Sequence, residues 1–461
     1  MAPALIPLRY TRRAVVAAAL VSLTAAIAVW SNRHYSGDVY WLLAAGREIA
    51  ANGLPQRDPF PTLSEGREWH NQQWLAELVL YGLHAAGGML LLSLAYALVL
   101  GASALPLLLG SRRRRPLEVL AVWAFLVPLL IAVMDPRAAG FSLLCFALLV
   151  VLVDGERRRW RVWLIPPLFV LWANLHGGFL VGLLFFALVV AGGALDARLG
   201  RRADPFGRRF VLLGLALPAM LVTPLSFAIF DYLGALSSNP LLPRLTYEWD
   251  PTPVHPELLL VVALFAGFAG YLWWRSAPPR PLEPLLVAGA FVVLALTAAR
   301  QLVWLGPVAF YLLRRLGRPG EIAVTRRLSL PALGVGLALL LAWALWWGPP
   351  PPEAKLMAPL AERVAAGRVE GRVAAPTGTG SYLLWRAPGQ RITVDGRYEQ
   401  YRPAELEAAL DLLAGQHVRL LDEWNVAAVV TPNPAGAARL TRAGLRVRAH
   451  DGDGYLLSRD R

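Results

Sequence analysis

Apolar runs long enough to cross a bilayer, broken by short Arg clusters, constrain this chain more than any other feature. The run at residues 88–110 ends at Arg112-Arg113-Arg114-Arg115, and the run at 328–347 follows Arg326 and Arg327. Runs of roughly 18 or more apolar residues indicate transmembrane helices rather than a large soluble core. Composition agrees, because 56% of the 461 residues are hydrophobic and only 16% are charged, against about 25% charged in soluble domains. The mean hydropathy is +0.48. The expected fold class is a polytopic α-helical membrane protein.

Hydropathy places about eleven spans, at 13–30, 88–110, 117–134, 138–153, 163–173, 179–195, 210–222, 258–274, 285–299, 302–313 and 328–347. Every second connection is rich in Arg, and the others carry only scattered Arg. Orientation follows this bias in short loops, so the N-terminus is expected in the cytoplasm and the 31–87 loop outside it. The run after Arg9, Arg12 and Arg13 resembles a signal h-region but lacks a small-residue cleavage site, and reads as a retained anchor. The net charge of +14 is therefore a topology signal. It is not spread on a basic soluble face with interleaved aromatics, and nucleic-acid binding is excluded on that ground. The single Cys145 lies in an apolar run and reads as a small core filler.

Past the Pro349–Pro352 run the chain changes character. Residues 353–461 alternate short strand and helix signals: strands at 372–375, 391–395, 426–430, 446–450 and 455–458, and helices at 404–413 and 434–443. This predicts a small α/β domain. An odd number of spans places it outside the cytoplasm. The domains expected are thus a membrane unit over 1–348 and a soluble extracytoplasmic unit over 353–461.

The chemistry is expected in the outer connections. The 31–87 loop is longer than a join between two helices needs, and it holds acids, amides, a His and several Trp. Asp38 opens a helical pattern with apolar residues at Trp41, Leu42, Ala45 and Ile49, closed by Gly53 and Pro55. Such a helix is expected to lie in the membrane interface, apolar face down. Asp38 then either caps it or faces a lipid phosphate and accepts a proton from an incoming hydroxyl. Glu77 sits among Leu75, Leu78, Val79 and Leu80, where an acid needs a partner or a role. Asp58, Trp69, His70 and Gln73 lie between them. Further on, Arg137 follows a Pro turn and suits bidentate phosphate binding. Asn174 and His176 precede two Gly that permit close backbone approach, and Glu248 and Arg300 complete the set. All are expected on one side of the membrane, as a site for a lipid-linked phosphate. No spacing suits a metal, so no cofactor is expected.

These residues carry a resemblance. Gly37-Asp38-Val39-Tyr40-Trp41 with Gly46 and Gly53, Asp58-Pro59-Phe60, Trp74-Leu75-Ala76-Glu77, Trp172 to Phe179, Gly380-Ser381-Tyr382-Leu383-Leu384-Trp385 and Val394-Asp395-Gly396-Arg397 are shared with a group of bacterial membrane proteins. The layout resembles the GT-C membrane glycosyltransferases, the superfamily of the protein O-mannosyltransferases and lipid A aminoarabinose transferases. The resemblance implies an inverting transferase in the bacterial inner membrane. Its donor is a sugar on a polyprenyl phosphate and its acceptor an envelope glycan, lipid or protein. Asp38 takes the position of the catalytic acid, as general base. Many GT-C enzymes carry a second acid nearby; Val39 follows Asp38 here, so Glu77 or Asp58 is the substitute. Arg137 and Arg300 hold the donor phosphate. Two other readings stand beside it: a lipid or sugar transporter, which calls for internal repeats that the chain lacks, and a non-catalytic envelope protein whose tail binds a partner through Asp395-Gly396-Arg397.

Overall fold

The computed structural model describes residues 35–110, 118, 121–122, 125–126, 135–153, 160–201, 206–237, 240–317, 357–367, 369–452 and 454–459. The expected spans at 13–30 and 328–347 and most of that at 117–134 lie outside the described residues. Among those described, three helices are long and apolar enough to cross a membrane: Trp74–Ala104, Phe179–Arg198 and Pro256–Arg275. Ala138–Val153, Arg161–Leu175 and Glu283–Thr297 are apolar and shorter.

The first polar loop opens with helix α1, Gly37–Asn52. Gly53 ends it at φ 82°, a conformation Gly adopts without a Cβ penalty. The next helix, α2, runs Trp74–Gly110 and breaks at Gly87 and Gly88. Gly88 sits at φ 63°, so the break separates an outer arm from the membrane stretch that sequence began at residue 88. The outer arm packs on α1 where Gly46 lies under the helix: a Cβ there would fall 2.2 Å from the Glu77 carbonyl oxygen.

The expectation that α1 lies flat on the lipid does not hold. Val39 to Gly46 are all buried, because the outer arm of α2 covers one side and a tail helix, Thr377–Arg386, covers another. Gly37 meets Gly378 of that tail helix so closely that a Cβ on Gly37 would be 2.5 Å from the Gly378 Cα. Apolar area removed from water by protein is equivalent to that removed by lipid, and the tail supplies the cover.

The bundle continues with α3, Ala138–Val153, α4, Ile165–Leu175, and α5, Phe179–Arg198. It is completed by α6, Phe206–Ala219, α7, Ile229–Ser237, α8, Pro256–Arg275, α9, Glu283–Thr297, and α10, Leu305–Leu316. Phe146, Phe185, Phe291 and Trp304 form its aromatic centre, with ring centroids 5.1–5.9 Å from Phe146. At the opposite end from the polar loop, Asp196 accepts the backbone N–H groups of Leu282 and Glu283 at 2.7 and 3.0 Å, which caps α9 with a charge of favourable sign.

The tail is a mixed four-stranded sheet in the order β1-β2-β4-β3. β1 is Arg372–Ala374, β2 Val426–Thr431, β3 Arg446–Asp451 and β4 Gly454–Ser458. β1 and β2 are parallel and the other two pairs antiparallel. Helices Pro403–Leu413 and Pro434–Arg442 cover it. Residues 391–395 form no strand of their own, only a bridge from Ile392 to Val373, because their backbone also serves the first loop. The Ile392 N–H donates to the Pro61 carbonyl at 3.0 Å, and the Leu63 N–H to the Thr393 carbonyl at 3.1 Å.

A buried charge cluster ties loop to tail. Arg397 is fully buried; it donates to Asp58 Oδ1 at 2.8 Å and to Asp395 Oδ2 at 2.7 Å. Its guanidinium lies 4.6 Å from the Phe60 ring centre and 4.9 Å from that of Trp69. The Ser64 hydroxyl donates to Asp58 at 2.6 Å and the Tyr401 hydroxyl to Asp395 at 2.9 Å. Breaking one partner of such a pair strands the others in a dry site, which costs about 3–5 kcal/mol. Arg397→Ala is therefore expected to destabilise the docked tail by about that amount, seen as earlier thermal unfolding in detergent and faster proteolysis within 357–459. A melting profile equal to that of the unaltered protein would show that the cluster does not hold the tail.

Candidate functional site

One cavity of about 1010 Å³ lies where loop, bundle and tail meet. Its charged end is lined by Asp38 and Gln73 from the first loop, Arg137 before α3, and His176 before α5. The segment between α6 and α8 adds Tyr232 and Glu248, the turn before α10 adds Arg300 and Gln301, and the tail adds Tyr398 and Glu399. Its other end is apolar. Leu258, Val261, Leu264 and Phe268 line it along one face of α8, facing Leu143, Leu180, Ala121 and Phe125. Ten residues of helix give that lining a depth of about 15 Å.

Asp38 is not a cap. Ser36 holds the N-cap position, and Asp38 sits in the first turn with Oδ1 accepting from Trp41 Nε1 at 3.4 Å. Its side chain keeps 41% exposure and lines the cavity. Oδ2 lies 3.8 Å from the Arg137 guanidinium, which also donates to Glu248. Burial raises the Asp38 carboxyl above the usual carboxylate range; Arg137 opposes this and Glu248 adds to it. For Glu248 burial acts in the same direction, but Arg137 outweighs it and holds the carboxyl low. Arg300 stacks over the Trp249 ring at 4.3 Å, an arrangement that keeps a guanidinium edge for other acceptors. Burial, seconded by Arg137 and opposed by Glu248, lowers its affinity for a proton, the signature of a cation short of counter-charge.

His176 is neutral. Burial, aided by Arg300 and Arg137, pushes it down to about 3. Its tautomer follows from its neighbours. The Gly178 N–H donates to Nδ1 at 3.1 Å, and Ser142 Oγ lies 2.8 Å from the same nitrogen. Ser142 Oγ accepts from Trp172 Nε1 at 2.6 Å, so its own proton goes to Nδ1. The ring proton is thus on Nε2, a donor for a ligand in the cavity. Of the two Gly that follow, Gly178 is required by this packing: a Cβ there would be 2.5 Å from Ser142 Oγ.

The other expected residues sit elsewhere. Asp58 is committed to Arg397, and Trp69 packs edge-on to Phe60 at 5.9 Å; both belong to the loop–tail cluster. Asn174 Oδ1 accepts from Trp74 Nε1 at 2.9 Å, and its Nδ2 donates to the carbonyls of Val170 and Val222, each at 2.8 Å. Asn174 therefore joins three segments and does not line the cavity. Glu77 and His70 line a narrow recess beside the cavity. His70 faces Glu68 at 3.4 Å, and Glu77 Oε2 accepts from Asn71 at 2.5 Å. Tyr232, Tyr398 and Glu399 were not expected. No periodicity marks them; the one signal was the polar run Arg397-Tyr398-Glu399-Gln400 after a strand-like stretch. Among the described residues no three His, Cys, Asp or Glu side chains are grouped to hold a metal ion.

No protein-family model matches the chain, and a sequence search of curated proteins finds no match. Solved structures do match. ArnT from Cupriavidus metallidurans bound to undecaprenyl phosphate superposes with a TM-score of 0.59 at 16% identity, covering 97% of each chain. Arabinofuranosyltransferase AftD from Mycobacteria superposes with a TM-score of 0.53 at 16% identity, over 97% of this chain and 40% of that one. Both are GT-C membrane glycosyltransferases, and the chain is a polytopic membrane protein with the GT-C fold.

Proposed function

We propose that the protein is an inverting membrane glycosyltransferase, moving a sugar from a polyprenyl-phosphate carrier to a hydroxyl of an envelope acceptor. The carrying observation is the cavity, charged at one end and apolar for about 15 Å beyond it, which suits a phosphate head on an isoprenoid tail. The neighbour with the higher TM-score holds undecaprenyl phosphate, which agrees with that reading. The charge pattern of the Arg-rich connections supports a site and a tail on the extracytoplasmic side of the membrane.

The chemistry assigns itself by position. The tail of the carrier lies along α8. Its phosphate meets Arg300, Arg137 and the Nε2–H of His176. Asp38 takes the proton of the acceptor hydroxyl, and that oxygen forms a bond to the anomeric carbon. The bond from this carbon to the phosphate oxygen breaks, and its electron pair leaves on the polyprenyl phosphate. Arg137 serves both halves, since it touches Asp38 and Glu248 and faces the space where phosphate charge develops. Preorganised donors of this kind lower the barrier because they need no reorganisation during reaction.

Asp38→Asn is expected to lower transfer by about 10²–10⁴-fold, the range for loss of a general base. Membrane insertion and undecaprenyl phosphate binding should persist; full transfer activity in a normally inserted variant removes the mechanism. Because Asp38 must be ionised and its pKa is raised, kcat/KM should fall on the acid side at a higher pH than an ordinary aspartate, near 3.9, would give. An acid limb at or below that value contradicts a buried base. Arg300→Gln should weaken undecaprenyl phosphate binding by about tenfold or more, the worth of a charged hydrogen bond, measured by titration in detergent. Unchanged affinity would place the phosphate elsewhere.

A further inference from the structure

The cavity has a second polar wall that the phosphate reading leaves unused. Trp41, Gln73, Tyr232 and Glu399 line both the main cavity and the adjoining recess. Glu77 lies at the recess wall, fully buried, and its Oε1 has no hydrogen-bond partner among the described residues. The recess is too narrow for a water-sized group, so Glu77 backs this wall from behind and does not itself reach a ligand. Glu399 comes from the tail. It is set in place by Arg397, two residues before it, whose backbone and side chain are both bonded to Asp395. Tyr398 beside it bonds the Thr377 hydroxyl at 3.2 Å.

We propose that this wall is a carbohydrate subsite and that the tail completes it. The reading rests on the proposed transferase function and gives the substrate contact that determines its sugar. A sugar ring in the main cavity presents vicinal hydroxyls to the Glu399 carboxylate and the Gln73 amide. Carboxylates and amides pair with adjacent hydroxyls in two-point contacts, and an aromatic side chain such as Trp41 offers an apolar wall with a polar edge. Burial pushes the Glu399 carboxyl up to about 7, so near neutral pH it can accept a hydroxyl proton or donate its own. The lipid phosphate and the sugar are held by separate groups, one set from the bundle and the other from loop and tail.

The test uses the full chain in detergent with two probes measured separately. Free D-arabinose, D-ribose, D-mannose, D-glucose and D-galactose are screened by saturation-transfer NMR, and undecaprenyl phosphate by native mass spectrometry. At least one sugar should bind the unaltered protein. Glu399→Gln should weaken it at least tenfold, with undecaprenyl phosphate affinity within twofold. Gln73→Ala gives the same readout should that variant fail to fold. Sugar affinity unchanged in these variants overturns the proposal, as does absence of binding by every sugar. Parallel loss of sugar and lipid phosphate also overturns it, because Glu399 would then be shaping the whole cavity. Sugar binding that depends on Glu399, in a protein that ignores undecaprenyl phosphate, would uphold the subsite and remove the lipid-donor reading instead.

Discussion

Arg397 is the interaction on which the rest of the architecture depends. It pairs with both Asp58 from the first loop and Asp395 from the tail in a site closed to water, and aromatic rings of the first loop flank it. Coulomb attraction at these distances is strong where the dielectric is low, yet three desolvated charges hold together only if their remaining hydrogen bonds are met. Ser64, Tyr401 and the backbone of Phe60 and Arg397 meet them. The bidentate Arg67–Glu405 pair, at 2.5 and 2.7 Å, adds a second clasp nearer the surface. The tail helix Thr377–Arg386 packs over α1, and Gly396, Tyr398 and Glu399 from the docked tail form part of the cavity wall.

Within the cavity one Arg is shared between two acids, while Arg300 and Glu399 stand apart from that group. Arg137 is saturated by Glu248 and Asp38. Arg300 is not, and its stacking on Trp249 fixes its plane without neutralising it. An anion entering the site gains most from Arg300 and the His176 N–H, and it reaches Arg137 by competing with Glu248. In the proposed reaction the same competition loosens the hold of Arg137 on Asp38 and makes that carboxylate more basic as the phosphate arrives. Position and electrostatics are thus coupled through one guanidinium.

Much of this was legible in the chain. The apolar runs and Arg clusters gave the membrane class. The spacing of Trp41, Leu42, Ala45 and Ile49, ended by Gly53, gave α1. Residue type and side of the membrane gave Asp38, Gln73, Arg137, His176, Glu248 and Arg300, which the fold gathers around one space. What stayed hidden depended on contacts between distant segments. Asp58 looked like a turn residue or a second acid because Arg397, its partner, lies 339 residues away. Asn174 looked like a ligand group because an amide on an apolar helix shows no sign of the carbonyls it will meet. Glu399 escaped notice because its place in the cavity is decided by the docking of the tail. The amphipathic pattern of α1 was read correctly as a buried face, but pattern alone does not say whether lipid or protein covers it.

The contact of Gly37 with Gly378 also has a bearing on biogenesis. A ribosome releases the outer loop long before it makes the helix that covers it, and chain segments generally fold in order of synthesis. During that interval Trp41, Leu42 and their neighbours lack their protein cover, and the interface of the bilayer is the natural shelter for such a helix. Assembly then requires α1 to exchange a lipid neighbour for a polypeptide one. An immature chain consequently has no finished pocket, and whatever the cavity binds must wait until translation ends.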